Sequence, residues 1–297
     1  MDNTELLSLF EDHVRSVNNL AIATQECYLE RIAFLYQLSK DTGRDVLSLS
    51  ESDLHRYITS LVVEGRLSKA TINGRLRVFK VFYGWCKTWD YRADNPTEKI
   101  KPMPGENQLT EILSREEVLR LYRAFPADTP LGCRGRALVL VLYDSMLRVG
   151  ELLDLRLSDI DWPQRRLHIR RSKSHRPRIV PFSDRTARVF RAWIVLRSRL
   201  PGDRVFCVVG GGPLSYNGLM SLLKRKQARL GIHLYPHKFR HTGATHYLEN
   251  PEASLPILSE LMGHSDPRFT YQRYVHLTGA AVSRHHEVCS PVNQLRW

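Results

Sequence analysis

The stretch YPHKFRHTGATH, residues 235–246, crowds three histidines and an arginine into ten residues, or just under three helical turns. His237 and His241 stand four residues apart, as in a zinc-protease helix, but Lys238 occupies the place of the general-base glutamate. A cation beside a metal ligand opposes metal binding, which argues against zinc. His237 and Arg240 share one helix face, where both can donate to an anion. The pattern favours an anion clamp, with an ordinary surface pair as the alternative.

The positive charge of the chain lies in its second part. The 297 residues carry 44 Lys+Arg and 31 Asp+Glu, a net charge of +13. Residues 1–105 balance 14 bases with 14 acids, so the other 30 bases and 17 acids, an excess of 13, fall in residues 106–297. This asymmetry predicts a polyanionic partner, most simply nucleic acid, against the alternative of a generally basic surface. Because the chain has neither a long apolar run nor a signal-peptide start, we expect a soluble cytoplasmic protein without a membrane partner.

The first hundred residues have the pattern of a four-helix unit. Three helices are expected at about 5–18, 24–40 and 51–64, the last of them capped by Ser50. A fourth helix is expected over residues 68–87, because apolar residues recur there at helical spacing. Its stripe consists of Ile72, Leu76, Phe79, Tyr83 and Cys86.

Proline and glycine residues at 94–105 break the helical pattern and predict a linker. We expect a helical domain over residues 1–93, a linker over 94–110 and a second domain over 111–297, which opens with a capping box at Ser114 and Glu117. The second domain is mostly helical, but Leu167 and Ile169 alternate with polar residues, and a polar tip and then Ile179 and Val180 follow, which predicts a β-hairpin or small sheet. The predicted fold class is mainly α with a small β-hairpin or sheet, as a four-helix domain followed by an α+β domain.

Two basic features of the second domain call for an anion. Arg148 directly follows an apolar helix, where a buried guanidinium is costly without an anionic partner. Gly150 suits a sharp turn there, and Glu151 is placed to hold the arginine. Residues 165–178 carry seven bases and no acid, which predicts a ribbon that follows a DNA groove. These bases are Arg165, Arg166, Arg170, Arg171, Lys173, Arg176 and Arg178.

Four segments, in this order, resemble the motifs of the tyrosine recombinases, the phage-integrase and Xer-type site-specific recombinases. LRVGELLDLRLSDID (147–161) resembles their first arginine box, and SKSHRPRIVPF (172–182) their lysine hairpin. HKFRHTGATHYL (237–248) resembles the H-x-x-R-H-T-x-A-T box, and LMGHSDPRFTYQRYVHL (261–277) the L-G-H…Y box. The resemblance covers almost the whole chain. It implies a core-binding domain and a catalytic domain that together clamp duplex DNA.

The resemblance also implies a catalytic set in which Tyr274 attacks the scissile phosphate. Tyr274 lies ten residues after the last-box histidine, one more than is usual, so Tyr271 is its rival. Tyr274 is preferred because RYVHL resembles the endings of family members. His241 and Thr242 match their box and are interpreted as capping or packing residues. The residues expected around the phosphate are Arg148, Lys173, His237, Arg240 and His264, with Glu151 in a supporting role.

As implied by the resemblance, the reaction passes through a 3′-phosphotyrosine and a Holliday junction and needs no metal, cofactor or ATP. Lys173 would protonate the leaving 5′-oxygen. The partners would be a double-stranded recombination site, three further protomers and accessory DNA-binding proteins. Each protomer would receive from a neighbour a tail such as residues 278–289. The protein would be associated with the nucleoid. A type IB topoisomerase and a catalytically inactive DNA-binding relative are the alternatives. DNA contacts are expected from Lys69, Arg75, Arg170, Arg171, Arg176 and Arg178.

Overall fold

A computed structural model of the chain describes residues 2–16, 20, 22–104, 111–170, 177–250, 252–263, 268, 270 and 274. The chain divides into two compact units, Met1–Gln108 and Leu109–Trp297. Among the described residues, no helix combines the length and the apolar character needed to cross a membrane.

The first unit contains the four predicted helices. They are α1 (Asn3–Ser16), α2 (Ile22–Thr42), α3 (Glu51–Glu64) and α4 (Lys69–Thr88). The Ser50 hydroxyl accepts from the Asp53 backbone, and the Asp53 carboxylate accepts from the Ser50 backbone, so the predicted cap is a full capping box. The predicted stripe of α4 is confirmed as core, since all five of its side chains are buried.

Part of the predicted linker packs on the first unit. The side chain of Asn73, in α4, donates to the Met103 carbonyl and accepts from the Met103 amide, both at 2.9 Å. Ile100 is buried in the same core as the four helices. Helix α4 already ends at Thr88, before the first proline of this segment, and the backbone of the segment is held at Met103 by a side chain of α4.

The second unit is helical around a small sheet. Its helices are α5 (Arg115–Arg123), α6 (Pro130–Asp144), α7 (Val149–Asp154), α8 (Asp184–Arg197), α9 (Tyr216–Leu230), α10 (Pro236–Leu248) and α11 (Leu255–Met262). The sheet is antiparallel in the order β1 (Ile160–Asp161), β2 (Arg166–Ile169) and β3 (Arg178–Pro181). The predicted hairpin and the predicted capping box at Ser114 and Glu117 are confirmed.

The sheet buries one face, as its alternation requires. Leu167 pairs with Val180 across β2 and β3, and both side chains are buried, whereas Ile179 is half exposed. A strand pair of this kind has one face on the core and one in solvent. The hairpin is therefore anchored by its apolar face, and its tip, residues 171–176, lies outside the described residues.

The turn between α6 and α7 is made by Met146 and not by Gly150. Met146 has a φ of 49°, in the left-handed region that non-glycine residues rarely adopt, while no positive φ occurs at Gly150. Gly150 instead lies inside the first turn of α7. The expectation that glycine makes this turn is wrong, because Met146, whose side chain is buried and whose carbonyl accepts a hydrogen bond from Arg240, takes the left-handed conformation.

Candidate active site

Helix α10 carries the residues of the opening stretch. Pro236 stands in its first turn, where a missing amide hydrogen costs nothing. His237 is exposed and His241 half-buried, whereas Arg240 lies between them in sequence with only 3% of its surface exposed. The same helix packs on α6 so closely that a Cβ on Gly243 would stand 2.2 Å from the Tyr143 carbonyl oxygen. This close packing fixes where Arg240 enters the interior.

Arg240 joins two separate parts of the chain. Its Nη1 donates to the Met146 carbonyl and its Nη2 to the Met262 carbonyl, each at 2.7 Å. Met146 is the residue with the left-handed backbone before α7, and Met262 is the last residue of α11. The guanidinium therefore fixes the turn that presents Arg148 and the helix end that precedes His264.

Arg148 is the N-cap residue of α7 and is held by Glu151 in two ways. The Arg148 amide donates to Glu151 Oε2 at 2.8 Å, and Arg148 Nη1 donates to Oε1 at 3.1 Å. Its Nη2 donates to the Gly263 carbonyl at 2.7 Å. The side chain is 22% exposed, so the guanidinium reaches solvent while its orientation is fixed from the buried side.

Arg178, predicted as a DNA contact, lies instead inside this pocket. Its Nη1 and Nη2 donate to the two oxygens of Glu151, both at 2.8 Å, and its Nε donates to the Leu261 carbonyl at 3.0 Å. Only 9% of the side chain is exposed. The sequence placed Arg178 with the exposed bases of the ribbon, but the fold turns this position of β3 toward the carboxylate.

The three arginines share the C-terminal end of α11. Carbonyls in the last turn of a helix lack intrahelical donors and carry the negative end of the helix dipole. Here the carbonyls of Leu261, Met262 and Gly263 accept from three different guanidinium groups. The helix end thus gathers cations that would otherwise repel each other.

The crowding of positive charge changes the ionisation of the pocket. Burial, and next the nearby charge of Arg148, lowers the pKa of Arg240 to about 9, so the group is still a cation at neutral pH. Burial opposes ionisation of Glu151, but the hydrogen bonds and charge of Arg178, with help from Arg148, outweigh it and lower the pKa of the carboxyl. The pocket therefore combines three cations with one carboxylate and favours a further anion.

Tyr274 lies in a small apolar cluster that also contains Met146, Leu258 and Met262, and it is 3% exposed. Its hydroxyl is hydrogen-bonded to His241 Nδ1 at 2.8 Å. The rings of His237 and His241 lie one helical turn apart, with centroids separated by 6.3 Å. The packing or capping interpretation fits Thr242, which bonds the Lys238 carbonyl and the Leu113 amide. For His241 this interpretation missed the hydrogen bond to Tyr274. The spacing of four residues between His237 and His241 was the available signal, because it places both histidines on one helix face.

The other predicted site residues are spread over both units or fall outside the described residues. Arg170 is exposed and pairs with Asp159. In the first unit, Lys69 is exposed at the start of α4, and the Arg75 guanidinium stacks 3.4 Å from the Phe34 ring centroid. The predicted residues outside the described part of the chain are Lys173, His264, Arg171 and Arg176, together with the rival nucleophile Tyr271.

Each of the two units matches the profile of a known protein family or domain. The profile of the phage integrase family matches residues 111–280, and that of the phage integrase N-terminal SAM-like domain matches residues 6–92. A tyrosine recombinase XerC of Xanthomonas campestris pv. campestris is 29% identical over 285 residues, covering 95% of this chain and 87% of the relative. The XerC of Xylella fastidiosa is 30% identical over 249 residues, covering 83% of each.

Solved structures have the same fold. The Tn1549 transposon integrase in complex with a circular intermediate DNA has a TM-score of 0.77 at 19% identity, covering 98% of this chain and 100% of the other. The XerH site-specific recombinase bound to a palindromic difH substrate has a TM-score of 0.73 at 18% identity, covering 97% and 85%. With family profiles matched over both units and the arginine pocket in the second of them, this chain belongs to the phage integrase family of tyrosine recombinases.

Proposed function

We propose that this chain is a site-specific recombinase that cuts and rejoins duplex DNA through a phosphodiester bond to Tyr274. The observation that carries the proposal is the pocket of Arg148, Arg178 and Arg240 beside the cluster that holds Tyr274. Such a pocket suits a group with one negative charge and two non-bridging oxygens. A DNA phosphodiester has this chemistry, and the charge excess of residues 106–297 supports a polyanionic substrate.

Arg148 and Arg240 would neutralise the phosphate. The reaction develops negative charge on the non-bridging oxygens, and preorganised donors stabilise that charge without reorganising during the step. Both guanidiniums are already fixed by backbone carbonyls in the free protein. Loss of one such donor typically costs about a hundred- to a thousandfold in rate. His237, exposed on the same helix face as Arg240, is proposed to donate to the same phosphate, and His264 to add a further hydrogen bond.

The bond changes balance without an added reactant. The Tyr274 oxygen attacks phosphorus, the bond to the 5′-oxygen breaks, and DNA remains attached through a 3′-phosphotyrosine. The tyrosine proton leaves to a neighbouring base, for which the structure supports His241 at 2.8 Å alongside His237. The 5′-oxygen receives a proton, and Lys173 is proposed as its donor. Reversal by a new 5′-hydroxyl rejoins the strand, so no ATP is required.

The first unit is proposed as the second arm of a DNA clamp, with Lys69 and Arg75 on α4 as backbone contacts. Stacking on Phe34 and a bond to the Tyr57 hydroxyl restrict Arg75, which lowers the entropy cost of a contact. We further propose that protomers assemble in pairs on palindromic sites, four in a synapse, with residues 278–289 exchanged between neighbours. A relative whose structure contains a palindromic DNA supports the pairing.

Covalent trapping tests the function and identifies the DNA site in the same experiment. Purified protein is incubated with sheared genomic DNA of the source organism, the reaction is stopped with detergent, and protein-linked fragments are sequenced. We expect enrichment of one site, and a nicked duplex built from that site should give a covalent band on a denaturing gel. The band should disappear with Tyr274→Phe and remain with Tyr271→Phe.

The outcomes separate the competing functions. Loss of the band with Tyr271→Phe and its retention with Tyr274→Phe would assign the nucleophile to the rival. Trapping at many unrelated sequences, together with relaxation of supercoiled plasmid, would indicate a topoisomerase. Site-specific binding without any covalent band would indicate an inactive DNA-binding relative.

A further inference from the structure

Arg178 holds together two parts of the pocket that come from distant parts of the chain. It is the first residue of β3, paired with Ile169 across the hairpin. Its guanidinium grips both Glu151 oxygens at 2.8 Å, a bidentate geometry that arginine forms and lysine does not. Its remaining nitrogen donates to the Leu261 carbonyl at 3.0 Å. Each of the three guanidinium nitrogens is therefore engaged inside the protein.

The Glu151 carboxylate passes this restraint on to Arg148. Oε1 accepts from Nη1 of both arginines, and Oε2 accepts from Nη2 of Arg178 and from the Arg148 amide. Removal of Arg178 would leave the buried carboxylate held by Arg148 alone, which is the residue it has to orient. The orientation of Arg148 consequently depends on a residue that lies 30 positions further along the chain.

The same guanidinium fixes the end of α11. It bonds Leu261 and lies so close to Gly263 that a Cβ there would stand 2.8 Å from the Arg178 Cζ. The carbonyl of Gly263 accepts from Arg148, and the next residue in the chain is His264. One buried cation thus sets the distance between the Arg148 turn and the helix end that leads to the last catalytic box.

A direct contact with DNA does not fit this environment. The Arg178 side chain is 9% exposed, whereas that of Arg170, directly after β2, is 62% exposed. We infer that Arg178 is a positioning residue for strand cleavage, which fixes Arg148 through Glu151 and fixes the end of α11 directly, without touching the reacting atoms. The inference rests on the proposed recombinase activity of this site.

The test compares Arg178→Met and Arg178→Lys with the same two substitutions at Arg188, a surface arginine of α8 that faces Asp184 at 3.6 Å. Single-turnover cleavage of the nicked duplex is measured at saturating protein, and the Kd is measured across a salt series. Arg178→Met should cleave roughly a hundredfold more slowly, the loss expected for a displacement of about 1 Å. Arg178→Lys should recover part of the rate because it restores the charge without the fork. The Kd and its salt slope should stay at the wild-type values.

A double variant separates positioning through Glu151 from an independent role. If Arg178 acts mainly through the carboxylate, Glu151→Gln combined with Arg178→Met should cleave within about threefold of Glu151→Gln alone, since coupled residues are not additive. This double variant removes both partners of the Arg178–Glu151 ion pair, so neither is left buried without the other, and it also serves if Arg178→Met alone fails to fold.

A wild-type cleavage rate in Arg178→Met would overturn the inference, and so would a weaker Kd whose salt slope falls by about one, which would mark a phosphate contact. A multiplicative loss in the double variant would overturn the route through Glu151 and assign the effect of Arg178 to its bond with the end of α11. Absence of a covalent band with the wild-type protein would instead refute the recombinase proposal. A band that is formed by the wild type and lost with Tyr274→Phe leaves only the role of Arg178 in question.

Discussion

The substitution Gly263→Ala, compared with a control glycine, should separate the loss of stability caused by backbone strain from the loss of cleavage caused by displacement of the arginine pocket. Gly263 ends α11 with a φ of 63°, and a Cβ there would stand 2.8 Å from both Cζ and Nη1 of Arg178. A guanidinium is usually free to move away, but this one is held by Glu151 and by the Leu261 carbonyl. The methyl group must therefore push either the ion pair or the helix end.

The structure sets the size of both effects. A left-handed conformation costs an alanine roughly 1–2 kcal/mol, which lowers the Tm of a domain of this size by roughly 2–8 °C. Ordinary van der Waals contact begins at 3.4 Å, so the gap of 2.8 Å requires a shift of 0.6 Å. A displacement of 1 Å at a catalytic group can cost about a hundredfold, and we expect cleavage to fall roughly ten- to a hundredfold.

Gly231→Ala is the matched control. Gly231 ends α9 with a φ of 67°, and its Cβ would meet nothing within 4 Å. It should lose a similar amount of thermal stability by circular dichroism and cleave a nicked duplex at the wild-type single-turnover rate. If both variants lose the same stability and cleave equally fast, the close approach of Gly263 to Arg178 does not affect cleavage. That result would refute the claim that a Cβ at this position displaces the arginine pocket.

Three further outcomes follow from the chemistry of the site. Lys173→Ala should lower cleavage by roughly a hundred- to ten-thousandfold, and a bridging 5′-sulfur, which leaves without protonation, should restore it; rescue of Arg148→Ala to the same extent would contradict the assignment. EDTA should leave single-turnover cleavage unchanged because guanidinium groups supply the positive charge, and an absolute need for added magnesium would refute this mechanism. The pKa of the Glu151 carboxyl is lowered in the folded protein. The ionised carboxylate therefore stabilises the fold above the ordinary carboxyl pKa of about 4.3, and this stabilisation is lost as the pH falls through the folded-state pKa. Calorimetry below about pH 5 should show a shallower loss of Tm with falling pH in Glu151→Gln than in the wild type.

Features that depend on near neighbours could be predicted from the amino-acid sequence. The helices of the first unit follow from apolar spacing and local caps, such as Ser50 with Asp53, and the structure confirms them. The alternation around Leu167 and Val180 likewise predicted the hairpin. The four motifs indicated the family because they occur together and in order, although each motif alone is a weak signal. These signals are readable because each one, such as the spacing within a helix or the alternation within a strand, depends on residues that are close together in the sequence.

The contacts of the cationic side chains, in contrast, join distant parts of the chain and could not be predicted from the local sequence. Arg178 reaches Glu151 across 27 positions, Arg240 reaches Met146 across 94, and Arg148 reaches Gly263 across 115. In the sequence, Arg178 is one of seven similar bases, and nothing in its local pattern distinguishes a buried guanidinium from an exposed one. Burial depends on which elements pack together, and the buried Arg178 forms an internal ion pair with Glu151 because a desolvated charge must find its partner within the protein.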